Sequence, residues 1–256
     1  MEQRRDAALI TITKHPDKTI VGSRILLWED GSFYHDTSIS ALFSEALDFY
    51  CLPLLLKKKT KSIQFHEEDH LIECFSEIFE APPHLIIAGA GHVCEPVVKL
   101  AKMLSFFVTV VDDRGQFATK NRFPDADEVI CCDSFTSYFS SVPVMQKTYI
   151  LLLTRGHRYD VLSLQAMLAR KERAGYIGMI GSRRRIAGVF EQLTEEFPDE
   201  TFDNIFTPVG LDIGAQTPEE ISISIMAEIL KVKTKSSGLP LSEQVRDMAK
   251  LGFQKR

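Results

Sequence analysis

At 256 residues the chain is long enough for one large domain or two ordinary ones, and 45% apolar with 25% charged residues is the balance of a soluble globular protein. A net charge of -5 supplies no basic field to draw it onto nucleic acid or anionic lipid, and no apolar run approaches the roughly 20 residues needed to cross a bilayer. Residues 1–6 are too charged to open a signal peptide, and five scattered cysteines form neither a disulfide framework nor a zinc-knuckle pattern, so the sequence predicts a reduced, cytoplasmic, soluble protein.

Residues 7 to 35 read as strands. The β-rich run 8–13 ends at a His15-Pro16-Asp17-Lys18 turn, and Ile25 to Trp28 reaches Phe33-Tyr34 through the hairpin signal Glu29-Asp30-Gly31-Ser32. An amphipathic helix is expected next, with Ile39, Leu42, Phe43, Ala46, Leu47 and Tyr50 on one side. A strand over 62–65 follows the basic run 57–61, which reads as a solvated loop, and 71–79 has the spacing of a connecting helix. These elements make an α+β module over residues 1–80, closed by Ala81-Pro82-Pro83. His66-Glu67-Glu68-Asp69-His70 matches the H-E-x-x-H zinc motif in letters only, because its spacing residues are acidic rather than those of a buried apolar helix.

From residue 81 to 233 strands and helices alternate, as in a parallel sheet of the α/β class. Leu85 to Ala88 is a short buried strand that stops at Gly89-Ala90-Gly91, and Val93, Val97, Val98, Leu100, Ala101 and Leu104 begin a helix. A second apolar run, 106–111, ends at Asp112. Strand, glycine turn, helix, strand and acid open a Rossmann-like βαβ unit, in which the first helical amides face a phosphate. Further strands are expected at 128–132, 148–153 and 176–180, with helices over 159–170 and 186–197, and Ile205-Phe206 leads on to the segment from Pro208 to Gly214. Thr217-Pro218-Glu219-Glu220 combines a capping residue, a first-turn proline and a reciprocal glutamate, and so starts the last long helix. Residues 234–256 form a polar tail with room for one short helix.

Candidate ligand contacts gather where strands give way to turns. Gly89, Gly91 and His92 would meet a phosphate, although Cys94 replaces the third glycine of the usual fingerprint and serves either as an activated thiol or as a small packing residue. Asp112 is placed to accept from a ribose hydroxyl and Arg114 to clamp a phosphate. His157, after the fourth strand, is either a ligand contact or a structural histidine. Ser182 and Arg183 open a further helix with an arginine cluster that suits an anion.

Four blocks in order carry a resemblance to a known family. They are Gly89-Ala90-Gly91-His92; Val111-Asp112-Asp113-Arg114 with Phe117-Ala118 and Arg122-Phe123-Pro124; Tyr176 through Arg184; and Pro208-Val209-Gly210-Leu211-Asp212-Ile213-Gly214 through Ile221. Together they resemble the XdhC/CoxI family of xanthine dehydrogenase accessory factors over residues 84 to 231. The resemblance implies a molybdenum cofactor chaperone of Rossmann-like fold with no catalytic residues and no metal site of its own. Such a protein binds the molybdopterin-type cofactor and delivers it to an apo xanthine dehydrogenase or related molybdenum hydroxylase. A cofactor sulfurtransferase is a second implied partner, and a homodimer would help to shield so large a ligand. Gly22 through Gly31 is similar to the family's amino-terminal part, but Asp36-Thr37-Ser38-Ile39-Ser40-Ala41 stands where the family has a glycine-rich turn. Serine and alanine lack glycine's access to positive φ there. Two other functions use the same residues: an NAD(P)-dependent oxidoreductase, which would share the turn and Asp112, and a degenerate scaffold that binds a protein partner.

Overall fold

The computed structural model describes residues 5–35, 45–67, 69–181, 190 and 192–242. The chain divides into two compact units, residues 1–82 and 83–256. Each builds its own sheet.

The first unit is an antiparallel five-stranded sheet. Its strands are β1 (Ala7–Lys14), β2 (Arg24–Trp28), β3 (Phe33–His35), β4 (Lys61–Glu67) and β5 (His70–Phe79), in the order β3-β2-β1-β5-β4. Period-2 alternation puts Ala8, Ile10 and Ile12 of β1 and Ile72 and Cys74 of β5 on one face. The helix α1 covers that face, with Leu47–Cys51 wound as a π-turn and Leu52–Leu56 as α-helix.

Two expectations need correction here. Residues 71–79 form β5 rather than a helix: their apolar spacing fits either period, and pairing with β1 on one side and β4 on the other decides for the strand. The helix does not stop at Tyr50 but runs on to Leu56, and the wider π-turn rotates its face so that Leu47, Cys51 and Leu55 are buried while Tyr50 is exposed. Residues 36–44, including the altered turn at 36–41, lie outside the described residues. The H-E-x-x-H letters fall on β4, β5 and their connection, with Glu67 paired to His70, and not on a helix.

The second unit is a parallel six-stranded sheet. It comprises β6 (His84–Ala88), β7 (Phe107–Asp112), β8 (Glu128–Cys131), β9 (Thr148–Leu152), β10 (Tyr176–Met179) and β11 (Ile205–Phe206), in the order β11-β10-β9-β6-β7-β8. Read from β8 inward, this is the doubly wound order 3-2-1-4-5-6, with the direction of winding reversing between β6 and β9. The central strands are apolar on both faces because helices cover both. Leu85 and Ile87 pack towards α2 (Cys94–Met103) and α5 (Pro218–Thr234), while Ile86, Ala88, Ile150 and Leu152 pack on the side of α3 (Phe135–Ser141) and α4 (His157–Leu168). α3, which no expectation from the sequence covers, starts on a Ser134 side-chain cap. The capping box predicted at Thr217 and Glu220 is formed in both directions.

A buried polar link fixes α5 to the sheet. The hydroxyl of Tyr176 donates to Glu228 Oε2 at 2.6 Å, and the amide of Gly210 donates to the same oxygen at 2.9 Å. That link anchors the loop 207–216, which begins with a cis Thr207–Pro208 bond and carries the exposed Ile213. Among the described residues no helix is long and apolar enough to cross a membrane.

Candidate ligand cleft at the carboxyl edge of the parallel sheet

The cleft is built from the turns that follow β6, β7 and β9, on either side of the switch point. Gly89 ends β6 with φ +110°, and a Cβ there would lie 2.3 Å from the carbonyl oxygen of Leu153 and 2.9 Å from the Cα of Thr154. Glycine is therefore required by the fold, because it lets the turns after β6 and β9 touch. Gly91 differs: its φ is not positive, and a Cβ would meet nothing within 4 Å. It borders open space. Among the described residues the N–H groups of Gly91 and His92 have no hydrogen-bond acceptor, and they precede α2, where the helix dipole favours an anion. His92 is exposed beside them.

The peptide unit at Ala90 is held from two sides. Its N–H donates to Asp112 Oδ2 at 2.7 Å, and its carbonyl accepts from Arg122 Nη1 at 3.0 Å. Arg122 also donates to Glu95 Oε1 at 2.6 Å, which joins the turn to the first turn of α2. Arg114 in turn holds Asp112 through its backbone N–H at 2.9 Å, Nε at 2.8 Å and Nη2 at 2.9 Å. Phe117 supports both cations, with the guanidinium carbons of Arg114 and Arg122 at 3.9 and 5.0 Å from its ring centre. Asp112 is 1% exposed. Burial alone would raise its pKa, but the hydrogen bonds from Arg114 and Ala90 outweigh it and hold the carboxyl below its ordinary value.

The first turn of α4, just past the turn after β9, carries a second buried acid. Thr154 Oγ1 lies 2.6 Å from Asp160 Oδ1 and 3.0 Å from the Gly156 carbonyl oxygen. Asp160 is 2% exposed, and burial raises its pKa to about 7, opposed only by hydrogen bonds from the Thr154 hydroxyl and backbone. On the rim between the two turns, Arg155 grips Asp113 bidentately at 2.5 and 2.9 Å and reaches the Tyr159 hydroxyl at 2.9 Å. That pair ties the ends of β7 and β9 together across β6.

The structure thus gathers Gly89, Gly91, His92, Asp112 and Arg114 at one edge. Ser182 and Arg183 lie outside the described residues, as does the side chain of His157. Cys94 is fully buried in the core and burial pushes its thiol pKa up, so it packs and is not activated. Sequence reading missed Arg122, Arg155 and Asp160. Arg122 stands inside one of the four family blocks, and Arg155 follows the fourth strand directly, but nothing in the letters pairs either with its partner. Among the described residues no group of three or more His, Cys, Asp or Glu side chains could hold a metal ion.

The strand order and the glycine turn define a Rossmann-type domain. The family model described as the XdhC Rossmann domain matches residues 85–229, more than half of the chain, and the chain belongs to that family. Similar proteins include the uncharacterized protein YqeB of Escherichia coli strain K12, 29% identical over 165 residues, and a probable xanthine dehydrogenase subunit of Bacillus subtilis strain 168, 29% identical over 180 residues. These matches take in 64% and 70% of this chain but only 30% and 51% of the respective relatives, so the chain spans about half of their length or less. Among solved structures, the crystal structure of a xanthine dehydrogenase from Bacillus halodurans is similar with a TM-score of 0.62 and 25% identity, over 91% of this chain and 63% of that one.

Proposed function

We propose that this protein is an accessory factor for a xanthine-dehydrogenase-type molybdenum hydroxylase, and that it binds molybdenum cofactor as cargo and delivers it to the apo-enzyme. The observation that carries the reading is the fixed glycine turn at the switch point, where the N–H groups of Gly91 and His92 face no acceptor among the described residues and Arg114 stands alongside. Its donor set suits the cofactor: a terminal phosphate fits amides at a helix start, and the open space at Gly91 allows close approach to the backbone. Membership of the XdhC family and the relatives named for xanthine dehydrogenase support the choice of client. Arg122, Asp112 and Arg114 would keep the turn rigid while cargo enters and leaves, so binding would cost little reorganisation.

Binding of purified molybdenum cofactor by the protein and by Gly91→Val tests this. The variant is expected to fold normally and to bind at least about tenfold more weakly, since each 1.4 kcal/mol is a factor of ten. Equal affinity of the two proteins would overturn the placement of the cofactor. Failure of the loaded protein to activate an apo-hydroxylase would overturn delivery. Turnover of reduced nicotinamide with a carbonyl substrate would instead favour the NAD(P)-dependent oxidoreductase, which shares this fold.

A further inference from the structure

Asp112 occupies the place where a dinucleotide-binding sheet presents the acid that accepts ribose hydroxyls. A carboxylate has about four acceptor positions. Here four donors fill them: Ala90 N–H and Arg114 Nη2 on Oδ2, and Arg114 N–H and Nε on Oδ1. With 1% of its surface exposed, Asp112 has neither an acceptor position nor access for a vicinal diol. Its neighbour Asp113 is turned to the rim, where Arg155 holds both of its carboxylate oxygens.

Arg114 is in the opposite condition. Of its five side-chain N–H groups, the contacts to Asp112 use Nε and one proton of Nη2, which leaves both protons of Nη1 and one of Nη2. Its side chain is 27% exposed, and its guanidinium is kept flat on Phe117 at 3.9 Å. We propose that Arg114 is a specificity-determining residue that turns the ribose corner of this cleft into a phosphate corner. It saturates the acid that would read a diol and presents charged donors to a second anionic group beyond the glycine turn. The inference rests on the cleft being the ligand site proposed above. It narrows the ligand to one that offers phosphate oxygens, and not a free ribose diol, at the end of β7.

NADPH and NADH serve as probes because they differ only in carrying a 2′-phosphate or a 2′-hydroxyl at this corner. Equilibrium binding of both, at up to millimolar concentration, is measured for the wild type, Arg114→Met and Arg114→Lys, with thermal melting as a check on folding. The wild type is expected to prefer NADPH by about tenfold or more. Arg114→Met, which keeps the packing on Phe117 and both backbone donors to Asp112, should abolish or invert that preference, because the freed carboxylate accepts a hydroxyl and repels a phosphate. Arg114→Lys, which keeps the charge without the fork, should restore part of it, and it reads the same corner if the methionine variant fails to fold. Equal or tighter binding of NADH to the wild type, a ratio that Arg114→Met leaves unchanged, or no measurable binding of either probe would each overturn the assignment. The molybdenum cofactor titration is a separate readout, so Arg114 can keep this role while the cargo reading fails, and the reverse.

Discussion

Two carboxylates lie at the same edge of one sheet, equally hidden from solvent, and they are driven in opposite directions. Asp112 at the end of β7 receives four donors, one guanidinium among them, and is held below its ordinary pKa; Asp160 beside the end of β9 meets a hydroxyl and a backbone group and rises to about 7. Desolvation pushes both upward, more strongly at Asp160, and at Asp112 the four donors and the charge of Arg114 outweigh it. The corner at β7 is an ion network made to stay charged, whereas Asp160 at the corner of β9 gains its charge only as the pH passes about 7. Gly89 lies between them and lets the two turns touch.

The strongest way to break this comparison is to force the corners apart. Gly89→Ala adds a Cβ 2.3 Å from the Leu153 carbonyl oxygen at φ +110°, and it is expected to cost about 5 kcal/mol of unfolding free energy by chemical denaturation. Next, Asp112→Asn removes the charge that Arg114 faces and should cost about 3–4 kcal/mol at pH 7. A carboxyl with a lowered folded pKa stabilises above its unfolded value near 3.8 and loses that contribution as pH falls through the folded value. The gap between Asp112→Asn and the wild type should therefore close below about pH 4.

Asp160→Asn sharpens the contrast with the opposite sign. The folded chain holds the proton of Asp160 up to about pH 7 while the unfolded chain releases it near 3.8, so the wild type loses stability as pH rises between those values. The asparagine variant should match the wild type near pH 4 and exceed it by about 4 kcal/mol at pH 8, read from melting curves across that range. The smallest effect is expected at the other glycine. Gly91→Ala meets open space and should change stability by less than about 0.5 kcal/mol. A loss at Gly91 as large as at Gly89 would show that the turn is not divided into a structural and an open half.

Much of this arrangement is legible in the letters. Five of the six parallel strands announced themselves as short apolar runs, whereas the two-residue β11 did not, and the reversal of winding follows from the usual order of such a sheet. Thr217 and Glu220 specified their capping box locally, and the structure forms it. Residues 71–79 were harder because Leu71, Ile72, Phe75, Ile78 and Phe79 satisfy a helical spacing as well as they fill a strand, and only pairing with β1 and β4 separates the two. The site was legible as positions but not as bonds. Asp112 and Arg114 could be placed at the end of a strand, yet that Arg114 fills the acceptor positions of Asp112 depends on χ angles that no spacing encodes. Arg122 reaches Ala90 across 32 residues, and Asp160 owes its raised pKa to burial that only the folded unit creates.

The place of β6 in the sheet also sets a timetable for synthesis. Its partner on one side, β7, follows within twenty residues or so, but its partner on the other side, β9, begins only at Thr148, some 60 residues after β6 ends at Ala88. At the roughly 5–20 residues per second at which a chain is extended, one whole edge of the central strand waits about 3–12 s for its complement. During that interval the turn at Gly89 has no Leu153 to rest against, and the cleft does not exist. The carboxyl edge of this sheet is therefore completed by the second half of the unit closing on the first, and a ribosome stalled before residue 148 would display a half-sheet with one edge of β6 unpaired.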